Sequence, residues 1–253
     1  MPIPLNAGAV ALAAILLATP AMAQPARSLS QCLNKAQELP DFAFEEARLW
    51  EKEGGGGDAR LCQAMALLFR ADYAAAAERL EALLPTLTLP KATMAGLWAR
   101  AALANVQAKR PERAEAAYAQ AILLTPSDPD LLIDRAILRA GQQRFWEAVA
   151  DLDRAVALAP RRAEAYVLRA AARRQLAQDG TAADDLARAL EIDPGNVDAL
   201  LARGNLRAAR GDHGGAREDW LKVRQLAGDA AQGRDAAANM AALDALEKDA
   251  RGR

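Results

Sequence analysis

Apolar and small residues recur along this chain at a fixed stride that points to repeated helices. The stretch from Ala150 to Pro160 reads ADLDRAVALAP, and a stretch that begins 34 residues further on, at Asp184, reads DDLARALEIDP. Alanine and leucine favour helix, and the proline that closes each stretch predicts a helix end, because its ring removes an N–H and clashes with the preceding turn. The pattern therefore predicts one helical unit that is copied along the chain.

Four such units follow one another without a gap, and they share an ordered set of large and small positions. They begin at Ala95, Pro129, Ala163 and Val197. The large residues at the fourth and twenty-fourth positions are Trp98, Leu132, Tyr166 and Leu200, and Tyr118, Leu152, Leu186 and Trp220. The small residues at the eighth and twentieth positions are Ala102, Ala136, Ala170 and Gly204, and Ala114, Ala148, Ala182 and Ala216. Small residues let two helices approach closely, and the bulky residues fill the space between them.

This arrangement resembles the 34-residue pattern of tetratricopeptide repeat (TPR) proteins, in which each repeat is a pair of antiparallel helices. The resemblance implies an all-α fold, a right-handed α-solenoid of stacked helix pairs with a C-terminal capping helix. One pair cannot bury its own apolar face, so stacked copies provide a continuous core. The seventeenth position departs from the family pattern. It is aromatic in Tyr73 and Phe145, but the other units have Pro111, Asp179 and His213 there.

The repeats predict how the rest of the chain is organised. TPR repeats 1 to 4 are assigned to residues 95–128, 129–162, 163–196 and 197–228, a divergent repeat to residues 57–94, and a degenerate helix pair, broken near Pro40, to residues 24–56. Residues 229–253 are expected to form the capping helix, with Met240, Leu243 and Leu246 on one face. The alternative for this last segment is an amphipathic helix that lies on a membrane.

The first residues have the pattern of an export signal. The run from Ala7 to Ala18 is almost wholly apolar and too short to span a bilayer, and Ala21 and Ala23 suit cleavage before Gln24. No Lys or Arg precedes this run, so an uncleaved anchor or a mis-assigned start is the alternative. We expect a signal peptide over residues 1–23 and a mature protein that is periplasmic or secreted. No lipid anchor is expected, because no cysteine stands at the cleavage site.

The two cysteines, Cys32 and Cys62, both lie in the expected mature chain. Exported proteins with an even cysteine count usually pair them, so we expect a disulfide. It would close a loop of 29 residues. On the chain-entropy model such a loop closure stabilises by roughly 3 kcal/mol. Two buried thiols are the alternative.

A second regularity concerns charge. Arginine occupies the seventh position and aspartate the twenty-third in repeats 2 to 4, whereas repeat 1 has Ala101 and Ala117 there. Because the two positions change together, we expect an ion pair inside each of repeats 2 to 4, with solvated charges as the alternative. The expected pairs are Arg135 with Asp151, Arg169 with Asp185, and Arg203 with Asp219.

Composition and motifs give no support to catalysis or nucleic-acid binding. The chain has 32 Lys and Arg against 33 Asp and Glu, dispersed along its length, so it has no basic field for nucleic acid. Its single histidine, His213, falls in a turn of the last repeat, where a solvated residue is favoured over a ligand or base. The four glycines at 54–57 follow a helical run and indicate a joint rather than a phosphate-binding loop. We expect no catalytic residues, no metal and no cofactor.

The resemblance to TPR proteins implies that the first helices of the repeats line a concave groove that takes a peptide or a helix of a partner. The lining residues that it implies are Arg100, Leu103, Ile133, Asp134, Ile137, Val167, Ala171, Leu201 and Asn205. Some members of the family bind a C-terminal carboxylate with Lys and Asn, but this chain has Asp130, Glu164 and Asp198 at the second position of its repeats. Those acids disfavour such a ligand, although favourable placement at helix N-termini also explains them.

Outside the groove, Trp146 is the candidate for an exposed anchor, with packing against the next repeat as an equal alternative. The expected function is that of a non-catalytic adaptor or scaffold of the bacterial periplasm that binds another protein. The sequence names neither that partner nor the oligomeric state. The alternative is a permanent structural subunit of a cell-envelope or secretion assembly, and a third possibility is a regulatory subunit of an envelope enzyme.

Overall fold

The computed structural model describes residues 28–251, and every regular element in that range is helical. The expected signal peptide, residues 1–23, lies outside the described residues. The α-helices are α1 (Leu29–Glu38), α2 (Pro40–Trp50), α3 (Gly56–Phe69), α4 (Tyr73–Leu83), α5 (Lys91–Gln107), α6 (Pro111–Leu124), α7 (Pro129–Gly141), α8 (Phe145–Leu158), α9 (Ala163–Gln175), α10 (Asp179–Ile192), α11 (Val197–Ala209), α12 (His213–Ala227) and α13 (Ala231–Arg251). A π-helical turn, Glu51–Gly55, follows α2, and a 3₁₀ turn, Leu84–Thr86, follows α4.

The helices form hairpins that stack in chain order. In repeats 1 to 4, α5 packs on α6, α7 on α8, α9 on α10 and α11 on α12, and the second helix of each pair contacts the first helix of the next. Helices α3 and α4 form the pair that precedes them. The expected all-α solenoid of antiparallel pairs is confirmed. Helix α5 starts at Lys91, directly after Pro90 and four residues before Ala95, where the sequence pattern places the start of repeat 1.

Each hairpin turns through a residue in the left-handed conformation at the fifteenth position of its repeat. In repeat 1 this is Lys109, with φ of 58°, and in repeat 4 it is Gly211, with φ of 82°. The amide of the next residue then donates back to the eleventh residue, as Arg110 does to the carbonyl of Asn105 over 2.8 Å. This bond satisfies a carbonyl at the end of the first helix. Only repeat 4 uses glycine, so the other repeats accept the steric cost of a side chain there.

The core consists of the small and bulky positions that the repeat pattern marks. Ala136, Ala148 and Leu152 are buried together in repeat 2, and the equivalent residues are buried in repeat 3. Repeat 4 differs, because its bulky residue is Trp220. A Cβ built on Gly204 would lie 2.6 Å from Nε1 of Trp220, so the indole occupies the space that an alanine side chain needs. Glycine at this position makes room for tryptophan.

The N-terminal end of the solenoid is fastened to the repeats by a disulfide. Cys32 on α1 is bonded to Cys62 on α3, with their Cα atoms 6.0 Å apart. Helices α1 and α2 both pack on α3. The glycine run between α2 and α3 acts as the expected joint, since Gly54 and Gly56 have φ of 94° and 51°. Side chains are strained in that backbone region, which explains glycine at these two points.

The C-terminal end is covered by α13, which packs on α12 and contacts α11. Ala236 and Leu243 are buried and Met240 is partly buried against the core of repeat 4. Leu246, expected on the same face, lines a cavity together with Leu243 but is 67% exposed. Arg217 of α12 pairs with Glu247 at 2.9 Å and with Asp244. No helix among residues 28–251 has the length and apolarity needed to cross a membrane.

Candidate functional site

The groove expected from the repeats is lined mainly by the first helices α5, α7, α9 and α11. Because each repeat is an antiparallel hairpin, these four helices run in the same direction. The implied lining residues Arg100, Leu103, Asp134, Ile137 and Ala171 are exposed, and Val167, Leu201 and Asn205 are partly buried. Ile133 is the exception. It is 3% exposed and belongs to the core of repeat 2, so its place in the groove is wrong.

The groove opens into a cavity of about 500 Å³ between repeats 1 and 2, which we call the α5–α7 cavity. Leu103 on α5 and Ile137 on α7 stand at its mouth with 48% and 47% of their surface exposed. The lining residues are Leu103, Val106, Lys109, Pro111, Tyr118, Asp134, Ile137, Leu138, Gly141 and Gln142. Apolar walls with a few polar groups are typical of sites that bind another molecule.

Equivalent cavities recur at the same repeat positions but are smaller. The one between repeats 2 and 3 has about 190 Å³ and is lined by Phe145 and Leu152, where the α5–α7 cavity has Pro111 and Tyr118. The one between repeat 4 and α13 has about 300 Å³ and is lined by His213 and Trp220 at those positions. Of these three cavities, the one with proline at the seventeenth position has the largest volume, and the departure of Pro111 from the family pattern is its signal in the sequence.

The electrostatic character of the α5–α7 cavity is set by Asp134. Loss of water inside the concave site raises the pKa of its carboxyl, and the nearby carboxylates of Asp130, Glu164 and Asp128 raise it further. Arg162 partly opposes this effect, but it also pairs with Asp130 at 2.7 Å and with Glu164 at 3.0 Å. This part of the groove therefore carries an excess of negative charge.

Asn205, expected in the groove, lines the cavity between repeat 4 and α13 and also has a structural role. Its Oδ1 accepts a hydrogen bond from Nε1 of Trp220 at 3.0 Å and another from Nδ2 of Asn239 on α13 at 2.8 Å. It therefore links repeat 4 to the capping helix.

Arginine and aspartate meet inside repeats 2 to 4, between the two helices. Nη2 of Arg135 lies 2.7 Å from Oδ1 of Asp151, and Arg203 and Asp219 are also 2.7 Å apart. Arg169 and Asp185 are 2.5 Å apart. The three aspartates are each 3% exposed, so these are sheltered pairs rather than solvated charges.

Sequence reasoning missed a second arginine in each pair. The eleventh position is arginine in the same three repeats, and these side chains bind the same carboxylates: Arg139 to Asp151, Arg173 to Asp185 and Arg207 to Asp219, at 2.9, 2.8 and 3.0 Å. The sequence contained a signal for them: in each of these repeats an arginine recurs four residues after the first one, and residues four apart share one face of a helix. Each buried aspartate thus forms a triad with two arginines.

Repeats 1 and 2 are joined by Glu115 on α6. Its carboxylate binds Arg144, and Oε1 lies 2.7 Å from Nη2 of Arg139. The hydrogen bond from Arg144, with that from Arg139, lowers the pKa of Glu115 to about 2. Glu115 therefore stays ionised through the physiological range and links two neighbouring hairpins.

The remaining candidates, Trp146 and His213, lie outside the α5–α7 cavity. Trp146 is 65% exposed at the start of α8, and it does not line the α5–α7 cavity. His213 lies 3.4 Å from Glu247 of the capping helix and is partly buried. Within residues 28–251, no three His, Cys, Asp or Glu side chains are grouped so that they could hold a metal ion.

Comparison with known proteins supports the repeat assignment. Residues 100–173 match the family model described as tetratricopeptide repeat. A search of curated protein sequences yields no match.

Several solved structures are similar over most of the chain. The C-terminal part of a TPR repeat-containing protein from Cytophaga hutchinsonii is 14% identical, with a TM-score of 0.66 over 78% of this chain and 77% of that one. MamA from Desulfovibrio magneticus RS-1 is 19% identical, with a TM-score of 0.57 over 71% of this chain and 94% of that one. YrrB, described as a TPR protein with an unusual peptide-binding site, is 20% identical, with a TM-score of 0.58 over 77% of this chain and 97% of that one. Residues 100–173 thus carry the tetratricopeptide repeat pattern, and the described chain has the right-handed α-solenoid fold of TPR proteins.

Proposed function

We propose that this protein is a non-catalytic adaptor that binds a peptide or a helix of another protein in its concave groove. The observation that carries the proposal is the α5–α7 cavity of about 500 Å³, with Leu103 and Ile137 half exposed at its mouth. Apolar side chains that stay accessible in a concave site release water when a partner covers them. The peptide-binding site named for YrrB is consistent with this use of the fold.

The adaptor acts outside the cytoplasm of a bacterium, after removal of residues 1–23. Two features support this location: the apolar run from Ala7 to Ala18 with small residues before Gln24, and the disulfide between Cys32 and Cys62. Disulfides persist in oxidising compartments such as the periplasm. N-terminal sequencing of protein released by osmotic shock should begin at Gln24, and thiol labelling should find both cysteines protected until a reductant is added. Full-length chain that remains with the cytoplasm would contradict this location.

The groove is tested by crosslinking in intact cells. A photoreactive amino acid placed at Ile137 lies in the groove, and the same residue placed at Leu123 serves as a matched control, because Leu123 on α6 is 74% exposed and does not line the cavity. We expect a discrete adduct from Ile137, identified by mass spectrometry, and none of the same mass from Leu123. Absence of any adduct from Ile137, or equal adducts from both positions, would contradict binding in the groove.

A second candidate function, a permanent structural subunit of an envelope or secretion assembly, is favoured by one surface outside the groove. Phe42 and Leu49 lie seven residues apart on α2 and are 58% and 53% exposed, and Leu39, which directly precedes that helix, is 58% exposed. A permanent partner would keep this surface from water. Fractionation separates the two functions: an adaptor is expected as free monomer in periplasmic extract, whereas a built-in subunit sediments with the membranes.

A further inference from the structure

We propose that the groove selects a basic partner segment, in which an apolar side chain enters the α5–α7 cavity while a neighbouring Lys or Arg pairs with Asp134. This inference rests on the proposed function and names the chemistry of the partner.

The first step concerns space. Pro111 stands at the seventeenth position of repeat 1, where repeat 2 has Phe145, and the equivalent cavities measure about 500 and 190 Å³. The phenylalanine ring occupies room between its own repeat and the next, whereas the short proline ring at the start of α6 leaves that room open. Clefts of several hundred Å³ with apolar walls are the usual size for a bound group. The partner therefore supplies the apolar side chain that repeat 1 lacks.

The second step concerns the walls. Leu103, Val106 and Leu138 line the cavity with Ile137 and Tyr118, so its interior is apolar. Tyr118 is only 3% exposed, which places it at the base of the site, while Leu103 and Ile137 stand at the mouth. An apolar side chain that enters this site is covered on several sides, which is the geometry of an anchor residue at a protein interface.

The third step concerns charge. Among the described residues, Asp134 forms no ion pair, although Asp128, Asp130 and Glu164 surround it with negative charge. The one arginine that acts on it, Arg162, also pairs with two of those acids. A carboxylate in a partly desolvated site with like-charged neighbours gains from a cation, and a Lys or Arg of the partner provides one.

A second charge in the cavity wall, Lys109, distinguishes the two ends of the site. Lys109 follows the end of α5, and Gly141 lies at the end of the parallel helix α7, seven residues beyond Asp134. At a rise of 1.5 Å per residue, the acidic and basic ends of the site are separated by about 10 Å. The cation of the partner therefore belongs at the Asp134 end, and the apolar side chain lies between the two ends.

Two synthetic dodecapeptides test the selection, one with the repeat Lys-Leu-Ser and the other with Glu-Leu-Ser, both labelled for fluorescence anisotropy. The wild-type chain is expected to bind the lysine peptide at least about tenfold more tightly than the glutamate peptide. Pro111→Phe fills the cavity as Phe145 does in repeat 2 and should weaken the lysine peptide about tenfold, whereas Pro111→Ala should keep affinity within about twofold. Circular dichroism and a melting curve verify that each variant is folded.

Charge reversal separates the role of Asp134 from general attraction. Asp134→Lys should weaken the lysine peptide and strengthen the glutamate peptide, while the control Asp184→Lys, at an exposed site on α10, should change neither by more than about twofold. Equal binding of the two peptides, no binding of either, or equal effects of the two reversals would overturn the proposal. The proposed function fails separately, if Ile137 yields no specific crosslink in cells.

Discussion

Repeat 1 and repeat 3 are similar helical hairpins, but the residues that join their two helices are uncharged in repeat 1 and charged in repeat 3. In repeat 3 the buried carboxylate of Asp185 binds both Arg169 and Arg173. Repeat 1 has Ala101 and Ala117 at the seventh and twenty-third positions, both buried, and Asn105 at the eleventh. The packing of the two helices therefore does not require charge at their interface.

The uncharged helix interface of repeat 1 contains one buried polar atom without a hydrogen-bond partner. Asn105 is fully buried, and its Nδ2 donates to the carbonyl of Ala101 at 3.0 Å and to Glu81, but its Oδ1 has no hydrogen-bond partner. A buried polar atom without a partner costs about 1 to 3 kcal/mol. The charged triads satisfy their buried atoms instead, at the expense of removing ions from water. Repeat 1 thus avoids the desolvation of charges but leaves a buried oxygen without a partner, whereas the triads satisfy their buried atoms but desolvate charges. Mutations can separate these contributions to stability.

The largest effect is expected from removing the acid of one triad. Asp185→Ala leaves two sheltered arginines with the half-exposed Asp153 as their shared carboxylate. Breaking a buried pair costs about 3 to 5 kcal/mol of unfolding free energy, and we expect a loss near the lower end, about 3 kcal/mol, because Asp153 remains. Urea denaturation followed by circular dichroism measures the loss. The matched control is Asp184→Ala, since Asp184 is the adjacent residue and is exposed; it should change stability by no more than about 0.5 kcal/mol. Equal losses in the two variants would show that the triad contributes nothing.

A triple variant sharpens the comparison by giving repeat 3 the residues of repeat 1. Arg169→Ala, Arg173→Asn and Asp185→Ala together remove all three charges, so no buried ion is left unpaired. We expect the triple variant to be more stable than Asp185→Ala alone by about 2 kcal/mol, because the desolvation penalty disappears with the charges. Asp153 binds both arginines in the wild-type chain and is 51% exposed, so its carboxylate is hydrated in the triple variant. Losses that simply add would refute the coupling of the triad.

The next largest loss of stability is expected at Gly204, the eighth residue of repeat 4, where the other three repeats have alanine. Alanine is a better helix former than glycine by about 1 kcal/mol, yet its Cβ would strike the ring of Trp220. Overpacking costs about 1 to 3 kcal/mol, so Gly204→Ala should be destabilising by about 1 kcal/mol net. The double variant Gly204→Ala with Trp220→Leu copies Ala170 and Leu186 of repeat 3 and should recover stability. A single variant more stable than wild type would contradict the steric reading.

The smallest effect is expected at Glu115, where repeat 1 meets repeat 2. Its pKa of about 2 in the folded protein lies below the ordinary pKa of 4.5 for a free glutamate. A lowered acid pKa stabilises the fold above the unfolded value, and that contribution is lost as pH falls from about 4.5 toward 2. Because the ion pairs are partly open to solvent, we expect about 1 kcal/mol. In Glu115→Gln the decline in stability between pH 5 and pH 2 should be shallower by about this amount. Parallel pH curves for the two proteins would exclude the role.

Much of the fold followed from the repeat period. Buried Ala136, Ala148 and Leu152 stand where the pattern marked small and bulky residues. Pairing of arginine with aspartate also followed, because both residues change to alanine together in repeat 1. The second arginine of each triad was missed. Residues that change together along a sequence indicate which positions are in contact, but they do not indicate how many side chains bind one carboxylate. Ile133 was misplaced because the fifth position is not equally exposed in every repeat: Ile133 is buried in the core of repeat 2, whereas Val167 and Leu201 at the same position are partly buried.

The sequence by itself determined the helices, their pairing and their order, because a hairpin with one apolar face is stable only when copies of it stack at a constant interval. The tertiary structure alone decided which cavity is open, which carboxylates are sheltered and which groove residues are used within the fold. Those properties depend on side chains of two or three neighbouring repeats that meet in space, such as Pro111 of one hairpin and Asp134 of the next. Volume and charge in such a site are set by the distances between elements, which the order of residues along one helix does not contain.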